Sequence, residues 1–126
     1  MSDLPIEVVL LSEASADAWE SLGAATRGLE VPSGRAAWLL EHLRDTKLEI
    51  WTLIALATGK PPPPELPLAE LCDWEVQTVQ SLSGEERQRS VVHSGRTFDV
   101  SGLLCQSARH TVWHAGQLAA LLARSP

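Results

Sequence analysis

Tyrosine is absent, phenylalanine and methionine occur once each, and only two cysteines, Cys72 and Cys105, are present. Two cysteines build no disulfide framework, so both thiols are expected to be reduced and the chain is read as cytoplasmic. Basic residues are also few: 10 Lys plus Arg stand against 16 Asp plus Glu, a net charge of −6 with His neutral. Binding a phosphate backbone needs a basic face, which scattered cations on an acidic chain do not make, so no nucleic-acid partner is expected. No apolar run approaches the ~20 residues of a membrane span. Met1–Glu7 lacks the basic region of a secretory signal. There is no Gly-x-Ser-x-Gly elbow and no Gly-rich phosphate loop, which leaves nucleophilic catalysis by Ser or Cys without support. What is present is a chain of 126 residues, 44% hydrophobic, which fits one globular domain over residues 1–126.

Helical spacing dominates the chain. Met1–Ile6 reads as a lead. From Val8 to about Gly28 the apolar residues recur at three and four, with Ser12 or Ser15 as a cap and Gly28 as a stop. Ser33 is the expected N-cap of a second helix over Gly34–Thr58, which Gly59 closes. Its stripe is Ala37, Leu40, Leu43, Lys47, Trp51, Ile54 and Thr58. Pro61–Pro64 form a stiff extended spacer. A third helix is expected over Pro67–Leu82, ending at Ser83-Gly84. Val91–Phe98 alternates weakly around Gly95, which suggests an irregular connection with a short extended piece. The last helix starts near Asp99 or Ser101, with Asp99 as cap, and reaches Leu122. Four helices joined by short or moderate loops predict an all-α fold, a four-helix bundle.

The chemistry lies in the histidines. His110 and His114 are four residues apart, so on a helix they are neighbours on one face and can ligate one metal ion. Their stripe, Leu103, Ser107, His110, His114, Gln117 and Leu121, is flanked by apolar residues and is expected to point inward. The plainer reading has each ring hydrogen-bonded to a carbonyl or a neighbour. His42 lies on a polar stripe of the second helix with Trp38, Asp45, Thr46 and Glu49. In a bundle, ligands from facing helices converge on the core. Three His then leave a fourth position open, as a catalytic metal requires. Asp45 or Glu49 could orient a ligating ring or act as base, or simply form a solvated helix face. His93 reads as a surface-loop residue, and as a fourth ligand only if its loop folds over the site. Arg96 could meet an anionic substrate. Cys105 is turned away from the His110 and His114 face, and both cysteines read as small buried hydrophobes.

These residues also carry a family resemblance. Asp99–Ala123, with Leu103-Leu104, His110-Thr111-Val112-Trp113-His114 and Ala115-Gly116-Gln117-Leu118, resembles the last helix of the DinB-like proteins. Ser81–Glu86 and Gly95–Phe98 look like the lead-in to that helix, and Trp38–Thr46 resembles the family's second helix. The resemblance runs from about Ser33 to Arg124. It implies an up-down-down-up four-helix bundle, a divalent metal ion (zinc or nickel foremost) on His42, His110 and His114, and often a homodimer. Some relatives are thiol-dependent S-transferases or isomerases that use low-molecular-weight thiols.

Three functions follow as expectations. The first is an enzyme acting on a small-molecule substrate, in which the ion activates a thiol or water and Asp45, Glu49 or Gln117 positions the second reactant. The second is a stress-associated module with a structural or vestigial metal, which a fourth protein ligand would favour. The third is a helical dimer with three satisfied core histidines.

Overall fold

The computed structural model describes residues 4–29 and 31–123. Met1–Asp3 of the expected lead and Arg124–Pro126 at the end of the expected domain lie outside the described residues. The chain is mostly helical: α1 (Ile6–Ala16), α2 (Leu22–Ala25), α3 (Gly34–Thr58), α4 (Leu68–Gln80), α5 (Gly84–Arg87) and α6 (Val100–Ala123). Two strands, β1 (Ser90–His93) and β2 (Arg96–Asp99), pair antiparallel between α5 and α6. Among the longer helices, α1 packs on α6 and α4, and α3 packs on the same two. No helix among the described residues is long and apolar enough to cross a membrane.

The boundaries of α3 and α6 follow from their ends. Gly59 sits in the left-handed region (φ 70°), where only glycine is free of a Cβ penalty, and closes α3 as expected. Asp99 Oδ1 accepts from the Gly102 N–H at 2.6 Å and starts α6. Ser33 occupies the N-cap position of α3 without a side-chain cap bond.

One expected helix is broken. The spacing over Val8–Gly28 suggests a single helix, but α1 starts at Ile6 and stops at Ala16, and only the short α2 follows. Asp17 and Ser21 explain the break. The Trp19 N–H donates to Asp17 Oδ1 (3.3 Å), and the Ala24 N–H donates to Ser21 Oγ (3.0 Å). Such short polar side chains offer the backbone partners other than its own helix. Between them, Glu20 adopts a positive φ of 53°.

The expected irregular connection is a hairpin. Ser94 (φ 52°) and Gly95 (φ 76°) form its two-residue turn. Positive φ at both central positions gives the backbone twist that matches paired strands. Val91 and His93 then share a face by the period of two, and that face packs toward α3.

The interior has two apolar clusters. One is built on Leu11, Ile50, Ile54, Val79, Leu103 and Leu104, the other on Leu22, Leu39, Leu43, Cys72 and Leu118. Each fully buried leucine adds roughly 1.5–3 kcal/mol. Polar residues separate the clusters along every long helix that joins them: Lys47 on α3, Glu75 on α4 and Thr111 on α6 are all buried. Lys47 Nζ donates to Glu75 Oε1 (2.7 Å), and Trp51 Nε1 donates to Glu75 Oε2 (2.8 Å). The histidines stand close to this level of the fold, where α3 and α6 meet.

Candidate metal centre

His42 projects from the second turn-pair of α3, and His110 and His114 project from successive turns of α6. Their rings converge. His110 Nε2 lies 3.2 Å from His42 Nε2 and 3.1 Å from His114 Nε2. All three ligand atoms lie within 4.8 Å of one another, and each residue is half-buried. The expectation drawn from spacing is therefore met in one respect: the structure brings together three His nitrogens that could hold a metal ion.

Neighbouring residues fix two of the rings. His114 Nδ1 donates to Gln117 Oε1 at 2.6 Å, which in the neutral ring puts the proton on Nδ1 and the lone pair on Nε2. The Trp38 ring stacks parallel on His42, with centroids 5.0 Å apart and planes 7° off parallel. On Trp38 the Arg35 guanidinium lies 4.3 Å from the ring centroid. The stack Arg35–Trp38–His42 runs along consecutive turns of α3 in steps of three and four residues, the spacing of helix neighbours.

The protons among the three nitrogens do not balance. With a lone pair on His114 Nε2, at most one hydrogen fits between the three Nε2 atoms, and it must sit on His110 or His42. The rings thus present lone pairs to one another. Burial, and then the proximity of His114 and His42, push the His110 pKa down to about 4. His110 is accordingly neutral at pH 7, as a metal ligand must be. Nitrogens at the corners of a tetrahedron, about 2.0–2.1 Å from an ion, are about 3.3 Å apart. The observed 3.1 and 3.2 Å separations fit that donor set.

A cavity of about 300 Å³ opens beside the cluster, with His42 and His110 in its wall. Thr46, Glu49, His93, Ser94, Gln106 and Ser107 complete its polar lining. His93 is the residue that sequence reading placed wrongly. Its side chain is 10% exposed and its Nε2 lies 3.6 Å from Glu49 Oε1, so it is a wall residue rather than a surface-loop one. The signal was Val91 and His93 two residues apart, which is strand spacing, but a four-residue strand is too short to read with certainty. His93 does not belong to the ligand group of the other three. Gln106 lies one turn before His110 and was not singled out by its sequence. Its Oε1 is buried without a hydrogen-bond partner among the described residues.

The remaining candidates fall in different places. Gln117 touches His114 directly. Glu49 is in the cavity wall with its side chain 65% exposed. Asp45 is exposed and does not line the cavity. Arg96 is exposed on the hairpin, with its guanidinium 5.0 Å from the Phe98 ring centroid, and is also outside the cavity lining. Cys72 is buried, as expected, and burial pushes its thiol up to about 11. Cys105 is half-buried, and its pKa is raised for the same reason. Neither thiol is poised as a nucleophile or ligand. Comparison of the chain with family models, curated proteins and solved structures finds no match.

Proposed function

We propose that the chain is a DinB-like four-helix-bundle protein that holds a divalent ion, zinc or nickel, on His42, His110 and His114. Its activity on this reading is metal-dependent and thiol-dependent S-transfer, or hydrolysis, on a small-molecule substrate. The observation that carries the reading is the convergence of three Nε2 atoms, with His110 3.2 Å from His42 and 3.1 Å from His114 and all three within 4.8 Å, and too few protons to satisfy them. A divalent ion there supplies Lewis acidity, which lowers the pKa of a water or thiol and yields a nucleophile near neutral pH.

The chain's own residues support this chemistry. Gln117 fixes the His114 tautomer, and Trp38 fixes the plane of His42. His93 and Glu49 stand in the adjoining cavity, where either can accept a proton from an entering reactant. Three nitrogen ligands with a cavity beside them favour an open position over a closed structural site. The packing of α1, α3, α4 and α6 on one another supports the bundle. The exposed Val112 and Trp113 on α6 support a homodimer that covers them.

The test is metal content of untagged protein with its His42→Ala and His110→Ala variants. About one ion per chain in the wild type, lost in both variants, is the expected result. No uptake of added zinc or nickel by folded wild type would overturn the reading. Transfer of a low-molecular-weight thiol to an electrophile is then assayed on the loaded protein, and sedimentation gives the oligomeric state.

A further inference from the structure

A second cavity, of about 560 Å³, lies between α1 and α6, and none of the three histidines lines it. On α6 its wall includes Arg109 and Trp113. Each stands about 100° around the helix from the histidine that follows it, so the two sites use different faces of α6. Opposite them are Glu13 of α1 and the turn at Asp17, Trp19 and Glu20. Trp19 and Trp113 are left 80% and 71% exposed. Tryptophan is enriched where a surface binds something, and two of the chain's five stand in this one wall.

Charge selects the occupant. The wall holds three carboxylates, Glu13, Asp17 and Glu20, and one guanidinium, Arg109. None of the four is in an ion pair among the described residues. Asp17 Oδ1 accepts the Trp19 backbone N–H at 3.3 Å. Arg27 is the other cation close by, but it is outside the lining and its guanidinium donates to the Ala18 carbonyl (3.4 Å). With both arginines counted, the acids still outnumber the cations by three to two. The C-terminal end of α1 adds to the negative side, since no basic residue in its last turn offsets the helix dipole. An anion therefore meets net repulsion, and a hydrated metal ion leaves the indoles unused. A guanidinium uses both features: its flat, weakly hydrated face stacks on an indole, and its fork of N–H groups reaches carboxylates. The volume is that of a small-molecule site rather than of an ion alone.

We infer that this cavity binds a small molecule carrying a guanidinium group, with Trp19 and Trp113 as its stacking surfaces and Glu13 and Glu20 as its acceptors. The site is independent of the metal reading. It also gives a purpose to the break in the expected first helix. The turn that replaces the helix carries Trp19 and Glu20 to the wall, and Ser21 Oγ holds it by donating to the Asp17 carbonyl (2.5 Å). Glu20 keeps a positive φ of 53° there, a conformation that persists only where its surroundings impose it.

The experiment titrates the chain with butylguanidinium, butylammonium and pentanoate, which share an alkyl tail and differ in the head group. The indole N–H signals of Trp19 and Trp113, assigned with Trp19→Phe and Trp113→Phe, are followed by NMR. Butylguanidinium should shift both signals saturably and bind about two- to fivefold tighter than butylammonium, and pentanoate should bind weakest. Glu20→Gln and Trp19→Leu should each weaken butylguanidinium by a similar factor, whereas Arg109→Gln should tighten it by removing a like charge. Chelated and zinc-loaded protein should give the same affinity, so a failure of zinc uptake bears on the histidines and leaves this titration decisive. Equal affinities for the three compounds show contact with the alkyl tail alone and overturn the inference. So does the absence of saturable shifts, or binding that survives Glu13→Gln, Glu20→Gln in one chain. Sedimentation accompanies the titration, because a second copy seated on Val112 and Trp113 covers part of the same wall. A dimer that excludes butylguanidinium also overturns the inference.

Discussion

Two polar groups interrupt the apolar interior, and they are satisfied in opposite ways. The Lys47–Glu75–Trp51 group is closed: each carboxylate oxygen of Glu75 has one donor, at 2.7 and 2.8 Å, and the charges neutralise one another. The histidine group is open: three nitrogens face inward with at most one hydrogen among them. Both depend on α3, where Lys47 follows His42 by little more than a turn. A closed network can only stabilise or specify the fold. An open one needs something from outside, which is how a site differs from a core.

The comparison can be broken most severely at Glu75. Removing its carboxylate by Glu75→Ala leaves Lys47 charged and unpaired in the interior, and unfolding in urea should show a loss of about 3–5 kcal/mol. The double variant Lys47→Met, Glu75→Leu removes both charges and should recover part of that loss, because apolar residues of similar volume can replace a buried pair while the Trp51 N–H is left without its acceptor. The histidine group should respond in the other order. His110→Ala should change the stability of chelated protein far less than Glu75→Ala does. It should instead erase the stabilisation conferred by zinc, about 2.7 kcal/mol at a hundredfold excess over Kd, read as the change in Tm on adding zinc.

Smaller effects sharpen the contrast. Gln117→Ala removes the acceptor that orients His114, and zinc affinity measured by competition with a chelator should fall about 10–100-fold. The overall stability of that variant should barely move, since the Gln117 side chain is on the surface. The last effect is on pH. His110 titrates near 4 when folded and near 6.5 when unfolded, so between those values the unfolded chain binds more protons. Stability of chelated protein should be complete above about pH 6.5 and decline as pH falls toward about 4. His110→Gln should flatten that part of the curve, with denaturant midpoints at several pH values as the measurement.

Much of this arrangement is legible before any coordinates. The limits of α3 follow from Gly59 and an uninterrupted apolar period, and His42, His110 and His114 stand out because i, i+4 spacing and one polar stripe suffice to pair them. The α3 core is set one position off the expected stripe in its first turns, on Ala36 and Leu39 rather than Ala37 and Leu40. Periodicity gives the existence of a face more securely than its rotation. The break after Ala16 is hidden because helical spacing continues through it. What ends α1 is a pair of side chain–backbone hydrogen bonds at Asp17 and Ser21, and Ser21 could equally have faced solvent in a longer helix. His93 and Gln106 are hidden for a different reason. Their roles depend on what the rest of the fold sets around them, and neither a four-residue strand nor a lone glutamine announces that.

The base of the hairpin has one more consequence. The Val100 N–H donates to the Arg89 carbonyl at 2.9 Å, so the chain enters and leaves the hairpin at the same point. The Arg89 guanidinium also reaches the Ala57 carbonyl near the end of α3 (3.2 Å) and the Glu85 carboxylate (3.0 Å). Those contacts tether the excursion to the helices independently of what it contains. Its ten intervening residues can thus be lengthened or exchanged at an entropic cost that grows only slowly with length. The histidines ride on the helices, while His93 rides on the excursion. One wall of the cavity can therefore change by editing the excursion while the three-histidine cluster on the helices stays where it is.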